Sequence, residues 1–268
     1  MNRATSIIFV LVLLVVSAFS QKVPKVEKLT LVTDSLSQQS RHILGTTFHD
    51  GLIWCLIYED KQPGKGQYAT FEPKSGEWKI IENEKAQSAV LAVSQPFNSP
   101  AGLVFVGKKL WVSGLYGQSF GVIDSEKWKV EKIYKKFVRP DLAKTNSQTY
   151  ADITFDGKNI WIAWHLFDYT SPDAEVQQLL KINPENGEIL EKYPLPVGIR
   201  NIPNHGLTFD GESLWHIKDK KLSKLDLKGK VLARYSLSSI ENPSGLAFDG
   251  SSLWISEARG KLWKLPFE

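Results

Sequence analysis

One phrase recurs five times along this chain: a small residue, apolar positions ending in Phe, a short turn, then an apolar residue and Trp. It reads GTTFHDGLIW from Gly45 to Trp54, GLVFVGKKLW from Gly102 to Trp111, DITFDGKNIW from Asp152 to Trp161, GLTFDGESLW from Gly206 to Trp215 and GLAFDGSSLW from Gly245 to Trp254. Alternating apolar residues on both sides of an Asp-Gly or Gly-Lys turn predict a β-hairpin. A hairpin returning at intervals of 39 to 57 residues predicts the blades of a propeller, since one hairpin cannot bury its faces alone.

Further strand-like runs follow each hairpin. In the fourth copy they are Lys221 to Leu227 and Lys230 to Leu237, and in the third Leu179 to Asn183 and Glu188 to Leu195. The second copy has Ser119 to Asp124 and Trp128 to Phe137; the first has Tyr68 to Glu72 and Glu77 to Glu82. Four strands make a blade unit. The fifth copy has a single run after its hairpin, Lys261 to Phe267, so its outer strand must come from elsewhere. The stretch KVEKLTLVT from Lys25 to Thr33 resembles the fourth strand of other copies, such as KVLARYSL from Lys230 to Leu237. The expected fold is all-β, a five-bladed β-propeller whose last blade is completed by an N-terminal strand, which removes two exposed edges at once. Identical placement in every copy assigns Trp54, Trp111, Trp161, Trp215 and Trp254 to blade-to-blade packing rather than to a binding strip.

Residues 1–20 stand apart. Arg3 supplies a positive start, Ile7 to Val16 form an unbroken apolar run, and Ala18 and Ser20 place small residues before Gln21. This pattern predicts a signal peptide over 1–20, an export route to a secreted or periplasmic location, and a single propeller domain over 21–268. The apolar run falls short of the roughly 20 residues that a membrane span needs, so no membrane association is expected after cleavage. Cys55 is the one cysteine of the chain, which excludes an intrachain disulfide despite the oxidising destination. The formal net charge of +4 is spread over turns and strand edges, and Lys132 to Lys136 and Lys218 to Lys224 alternate with apolar or acidic residues. Nucleic-acid binding is not expected, nor is a metal or other cofactor, because no phosphate loop, paired-Cys pattern or HExxH stretch is present.

Loop lengths select a working face. The turns within hairpins are tight, whereas the long segments Glu59 to Gly66, Lys85 to Ala101, Val138 to Ala151, His165 to Gln177, Pro196 to His205 and Ser238 to Ser244 all gather at the opposite end. Ligand contacts are usually built on such loops over a rigid scaffold. Aligning the copies by their Trp isolates the exceptions at that end. Four copies open with Gly where the third has Asp152; one place earlier Leu44, Ala101, Ala151 and Ser244 contrast with His205; three places after the Trp come Ile57, Gly114, Trp164, Lys218 and Glu257. Trp164, Lys218 and Glu257 are expected to point the same way, with His165 in the adjoining loop. Together they offer Asp152 or Glu257 and His205 as catalytic acid and base, Lys218 or Arg259 as a cation, and Trp164 and His165 as ligand-binding walls. The competing reading is that Asp152 and Glu257 pair with Lys218 and Arg259 to hold loops. His42 and His49 carry no such signal.

The elements GLYGQS at Gly114 to Ser119, GLTFDGESLW in the fourth blade and GKLW at Gly260 to Trp263 resemble the plant-type glutamine cyclotransferases, five-bladed propellers that convert N-terminal glutamine to pyroglutamate. The resemblance spans the whole chain after the leader. It implies ligand contacts from Trp164 and from Lys261 of the GKxW element, beside Arg259. The sequence departs from the family pattern where Leu110-Trp-Val-Ser113 replaces the proton-transferring glutamate and the residues after it, where Ala151 replaces an asparagine, and where His205 replaces an aromatic residue. Loss of that carboxylate removes about 10² to 10⁴ in rate from a cyclisation. The expected function is binding of a small polar molecule or peptide by a monomer, without turnover. The alternative is a glutaminyl-peptide cyclotransferase or another propeller lyase or hydrolase using Asp152, Glu257 or His205 as substitute acid and base.

Overall fold

A computed structural model describes residues 29–38, 41–59, 66–93, 100–114, 120–134, 147–168, 176–195, 205–218 and 220–267. Residues 1–20, expected from the sequence to be a signal peptide, most of the GLYGQS element and much of five of the long connections lie outside the described residues. The chain is a five-bladed β-propeller with four antiparallel strands in each blade. Blade 1 comprises β2 (Arg41–His49), β3 (Leu52–Glu59), β4 (Gln67–Glu72) and β5 (Glu77–Ile81). Blade 2 comprises β6 (Pro100–Val106), β7 (Lys109–Gly114), β8 (Phe120–Asp124) and β9 (Lys129–Tyr134); blade 3 comprises β10 (Ser147–Phe155), β11 (Ile160–Asp168), β12 (Val176–Ile182) and β13 (Ile189–Pro194). Blade 4 is β14 (His205–Phe209), β15 (Leu214–Lys218), β16 (Lys221–Leu225) and β17 (Val231–Ser236). Blade 5 is β18 (Pro243–Phe248), β19 (Ser252–Glu257) and β20 (Lys261–Pro266), and β1 (Thr30–Thr33) pairs antiparallel with β20 as its outer strand. The N-terminal strand therefore closes the ring.

The repeated phrase has a local cause. In blades 3, 4 and 5 the turn aspartate, Asp156, Asp210 or Asp249, accepts backbone N–H bonds from the residues two and three places on, and its second oxygen accepts Nε1–H of Trp161, Trp215 or Trp254 at 2.7 Å. Burial pushes these carboxyls up, but the hydrogen bonds outweigh it and hold all three below the ordinary aspartate value. One side chain thus fixes the turn and the packing Trp together. Blades 1 and 2 carry His49 and Val106 at the equivalent place, and there Nε1 of Trp54 and Trp111 is buried without a hydrogen-bond partner among the described residues.

The innermost strands crowd the axis. A Cβ on Gly45 would stand 2.0 Å from the Ala101 carbonyl oxygen, on Gly102 2.9 Å from the Ile153 nitrogen, on Gly206 3.0 Å from the Gly245 carbonyl carbon, and on Gly245 2.8 Å from the Thr46 nitrogen. Each glycine faces the next blade, so four of the five boundaries close on bare backbone. The fifth, between blades 3 and 4, carries Asp152 instead.

The segment Lys85 to Ala101, expected to be a long loop, contains a helix. α2 (Glu84–Val93) buries Ala86, Ala89, Val90 and Val93 on one face against blades 1 and 2. Asn83 caps it by accepting the N–H groups of Lys85 and Ala86 at 3.0 and 3.1 Å. Spacing of three and four between those apolar residues is the helical period, which hairpin counting overlooks. A short helix, α1 (Ser35–Gln38), packs Leu36 into the cluster shared by blades 1 and 5.

Candidate functional site between blades 3 and 4

Strand alternation decides which side chains meet across a blade boundary. In β11, Trp161 and Ala163 pack with Leu207, Leu214 and Leu225 of blade 4. His165, two places further on, lies on the same face. In β15, Leu214 faces blade 3, so His216 and Lys218 do as well; across the hairpin, Leu207 stands opposite His216 and His205 opposite Lys218. The apolar half of this boundary therefore gives way, toward the ends of β11 and β15, to a polar layer of Asp152, His165, His205, His216 and Lys218. Gln177, paired with His165 in the sheet, adjoins it.

The geometry of the layer is specific. Asp152 is 4% exposed, and its Oδ1 lies 2.7 Å from Nδ1 of His205, which is 8% exposed. The rings of His165 and His216 stack with centroids 5.5 Å apart and planes 11° off parallel. Both are buried, and burial pushes both imidazoles down. His165 is driven well below 6.5, with His216, Lys218 and His205 adding to the effect. His216 falls to about 4; Asp152 opposes the shift, while Lys218 and His205 reinforce it. Asp152 Oδ2, both ring nitrogens of His165 and Nε2 of His216 are buried and hydrogen-bond to nothing among the described residues. Each such atom costs about 1–3 kcal/mol of desolvation. Four of them at one boundary mark a place that a ligand or ordered water would complete.

The remaining candidates go elsewhere. Trp164, Lys218 and Glu257 keep equivalent registers and point the same way relative to their own blades, toward the preceding one. Around a ring, that sends them into three different boundaries. Trp164 is buried with Trp111, Phe120 and Tyr134 of blade 2. Glu257 is 1% exposed on the face of β19 that packs against blade 4; its Oε2 accepts Trp263 Nε1–H at 3.1 Å and its Oε1 lies 3.5 Å from Lys261 Nζ. Arg259 is exposed and pairs with Glu241 at 3.5 Å. Among the described residues Asp152 thus pairs with His205, Glu257 with Lys261 and Arg259 with Glu241. His165, expected in a loop, is a strand residue because β11 continues to Asp168.

His216 escaped the sequence reading, although the signal was available. One place after each blade Trp stand Cys55, Val112, Ile162, His216 and Ile255, so His216 is the polar exception at an otherwise apolar position. Cys55 itself is buried, with its thiol pushed up to about 12 mainly by burial, and has Thr46 Oγ1 at 3.8 Å. His42 stacks on Tyr58 and His49 on Phe105, away from the polar layer. No group of three or more His, Cys, Asp or Glu among the described residues is arranged to hold a metal ion.

No family model matches this sequence, and no curated protein matches it. Among solved structures, the fold is similar to a glutaminyl cyclase from Myxococcus xanthus at 10% identity and a TM-score of 0.52, covering 84% of this chain and 90% of that one. It is similar to a gluconolactonase from Xanthomonas campestris at 10% identity and a TM-score of 0.52, covering 90% and 89%. A catalytically inactive virginiamycin B lyase from Staphylococcus aureus aligns at 17% identity and a TM-score of 0.46, over 90% of this chain and 99% of that one. The chain thus shares a β-propeller fold with the cyclase and the lactonase, and at these identities the likeness is one of fold alone.

Proposed function

We propose that this protein is an exported binding propeller, secreted or periplasmic, that holds a small polar molecule or the polar end of a peptide between blades 3 and 4 without turning it over. One observation carries the reading: the buried Asp152–His205 pair and the stacked His165–His216 pair meet at the one boundary where the ring of glycines is broken. Polar groups are buried in that number where hydrogen bonds complete them, and atoms of Asp152, His165 and His216 have no partner there among the described residues. The export pattern at 1–20 supports the location. The reading is tested by thermal unfolding of the mature protein against amino acids, organic acids, sugars and dipeptides. A binder at 100 times its Kd stabilises by about 2.7 kcal/mol. The stabilisation is expected to vanish in Asp152→Asn and His205→Gln; equal stabilisation of wild type and both variants would place the site elsewhere.

A second reading is enzymatic. A carboxylate that holds one nitrogen of an imidazole leaves the other for proton transfer, which is the acid/base design of many hydrolases. The 2.7 Å Asp152–His205 contact favours it, and His205 Nε2 makes no hydrogen bond among the described residues. Under this reading the protein is a glutaminyl-peptide cyclotransferase, as the resemblance implies, or another lyase or hydrolase, with His205 moving the proton. Ammonia release from a glutaminyl peptide that disappears in His205→Gln would replace the binding-only reading.

A further inference from the structure

We infer that the groove between α2 and the β8–β9 turn of blade 2 docks an acidic peptide segment of a partner protein, whose apolar side chain lies on Trp128 and whose carboxylates meet Lys85 and Lys129. The site is separate from the polar layer between blades 3 and 4 and stands or falls without it.

The turns into the outer strands point to it first. In blades 1, 3 and 4 the place that ends this turn belongs to Gly76, Gly187 and Gly229, with φ of 76°, 70° and 78°. Blade 2 has Trp128 there, in the same left-handed region at φ 53°. That conformation favours glycine and costs a bulky side chain free energy, so the indole is held against the preference of its backbone. The Trp128 ring lies 5.1 Å from that of Tyr68, tilted by 32°, and Tyr68 is wholly buried, so the indole is braced from the interior. Trp128 also lines an open groove of about 610 Å³. The facing wall is α2, where Lys85, Ser88 and Ala92, spaced by three and four, share one stripe of the helix beside Ala89. These short side chains leave room next to the indole, and Val130 extends the apolar surface.

The charges select the occupant. Three lysines and one glutamate, Glu84, border the groove. Lys127 is engaged by Asp124 at 3.2 Å, whereas Lys85 and Lys129 are exposed and have no ion pair among the described residues. An ammonium group only donates, so its partner must accept and carry negative charge. A saccharide brings hydroxyls that donate as well as accept, and among the groove's side chains only Glu84 and Ser88 could receive them. A bilayer surface is flat and does not fill a groove. A peptide with an apolar residue between carboxylates matches both the indole and the lysines, and Trp is enriched at the energetic centres of such interfaces.

The test is fluorescence anisotropy of a labelled peptide, Asp-Glu-Phe-Glu-Asp, titrated with the folded protein. Replacing its Phe by Ala, or its four acids by Lys, is expected to weaken binding about tenfold or more. Trp128→Gly restores the residue of three other blades and should lose about tenfold in affinity, with its fold verified by circular dichroism. Because Trp128 also packs on Tyr68, the exposed lysines give the second measure. Lys85→Glu and Lys129→Glu are each expected to lose about fivefold or more, and the exposed Lys158→Glu in blade 3 to lose nothing. Equal loss in Lys158→Glu would overturn the groove in favour of the general positive charge, as would affinity unchanged in Trp128→Gly and both groove reversals. Polygalacturonate or phosphatidylglycerol vesicles bound through Lys85 and Lys129, with no peptide binding, would overturn the peptide and give the groove to that polyanion. Binding of none of these probes would overturn the site.

Discussion

The boundary between blades 5 and 1 and the boundary between blades 3 and 4 use the same backbone for different ends. At the first, Gly245 lets the strands meet, Thr46 donates to Ser256 Oγ at 2.8 Å, Ser244 joins at 3.2 Å, and the Ile43 N–H reaches the Ala258 carbonyl at 3.1 Å. Its polar side chains satisfy one another, and Ile43, Ile53, Ile57, Ala247, Trp254 and Leu262 fill the remainder. At the second, a carboxylate stands where the other blades close on glycine, and four buried polar atoms have no partner among the described residues. Violations of a repeat's own packing rule concentrate where selection has something other than stability to satisfy. The repeat itself shows which boundary that is.

The largest effect should come from imposing the third blade's choice on another blade. Gly45→Ala puts a methyl group at 2.0 Å from a carbonyl oxygen, a contact that only a shift of whole strands relieves. The expected cost exceeds about 4 kcal/mol or abolishes soluble folding. Asp152→Gly, the reverse exchange, should fold and lose about 1–3 kcal/mol, because it removes a buried carboxylate together with its imidazole contact. Urea denaturation of both variants measures the difference. A Gly45→Ala protein with a wild-type midpoint would break the comparison outright.

The fold was legible because the feature that announces it also builds it. Asp156, Asp210 and Asp249 tie a turn to a Trp, so the spacing of Asp and Trp in the sequence is a record of hydrogen bonds. The site was half legible. Asp152 and His205 stand out because each breaks a column of the alignment, and they prove to be adjacent. Comparing like positions across blades, however, groups residues that rotate into different boundaries, as Trp164, Lys218 and Glu257 do. Two faces meet at a boundary, and the pairs that touch come from alternate positions of neighbouring blades, such as His165 and His216. That rule requires knowing which face of each strand is turned forward, and the alternation alone leaves the sign open. α2 was missed for a simpler reason: a run of Ala, Val and Leu between strands was measured by its length rather than by its period.

The next effect concerns acid. His165 and His216 have folded values below their ordinary 6.5, His216 at about 4. Between those values the unfolded chain binds more protons than the folded one. Stability is therefore complete above about pH 6.5 and falls as the pH drops toward 4, by at most about 1.4 kcal/mol per pH unit for each histidine. His216→Ile gives blade 4 the residue of blade 5 and should flatten part of this slope, raising stability at pH 5 relative to wild type. Thermal melts across pH 4 to 7 test it; a slope unchanged by the substitution would show that His216 does not titrate in that window.

A smaller effect separates the blades that have the turn aspartate from those that lack it. Asp249→Ala removes the acceptor of the Ser251 and Ser252 N–H groups and of Trp254 Nε1–H, leaving a buried indole N–H unpaired. A loss of about 1–3 kcal/mol is expected, with ligand binding unchanged because blade 5 does not face the polar layer. Val106→Asp in blade 2 is the complementary change. It offers an acceptor to Trp111 Nε1, which has none among the described residues, and should stabilise or be neutral despite adding a charge. Strong destabilisation by Val106→Asp would mean that the turn of blade 2 cannot adopt the conformation of the other three.

The smallest effect belongs to Arg259. The sequence makes it a neighbour of the GKxW element and a candidate cation for the site, but its side chain is 61% exposed and meets a Glu241 side chain that is 56% exposed, at 3.5 Å. Ion pairs between exposed side chains are worth at most about 1 kcal/mol and often nothing measurable. Arg259→Ala is therefore expected to change stability by less than about 0.5 kcal/mol and to leave the affinity of any ligand of the polar layer unaltered, since Arg259 lies beyond β19 on blade 5 whereas Lys218 stands at the boundary between blades 3 and 4. Paired with Lys218→Gln, it is the control that separates a local charge from the general positive charge of the protein. If the two variants weaken ligand binding equally, the charge that matters is a property of the whole surface and the distinction between the boundaries loses its electrostatic half.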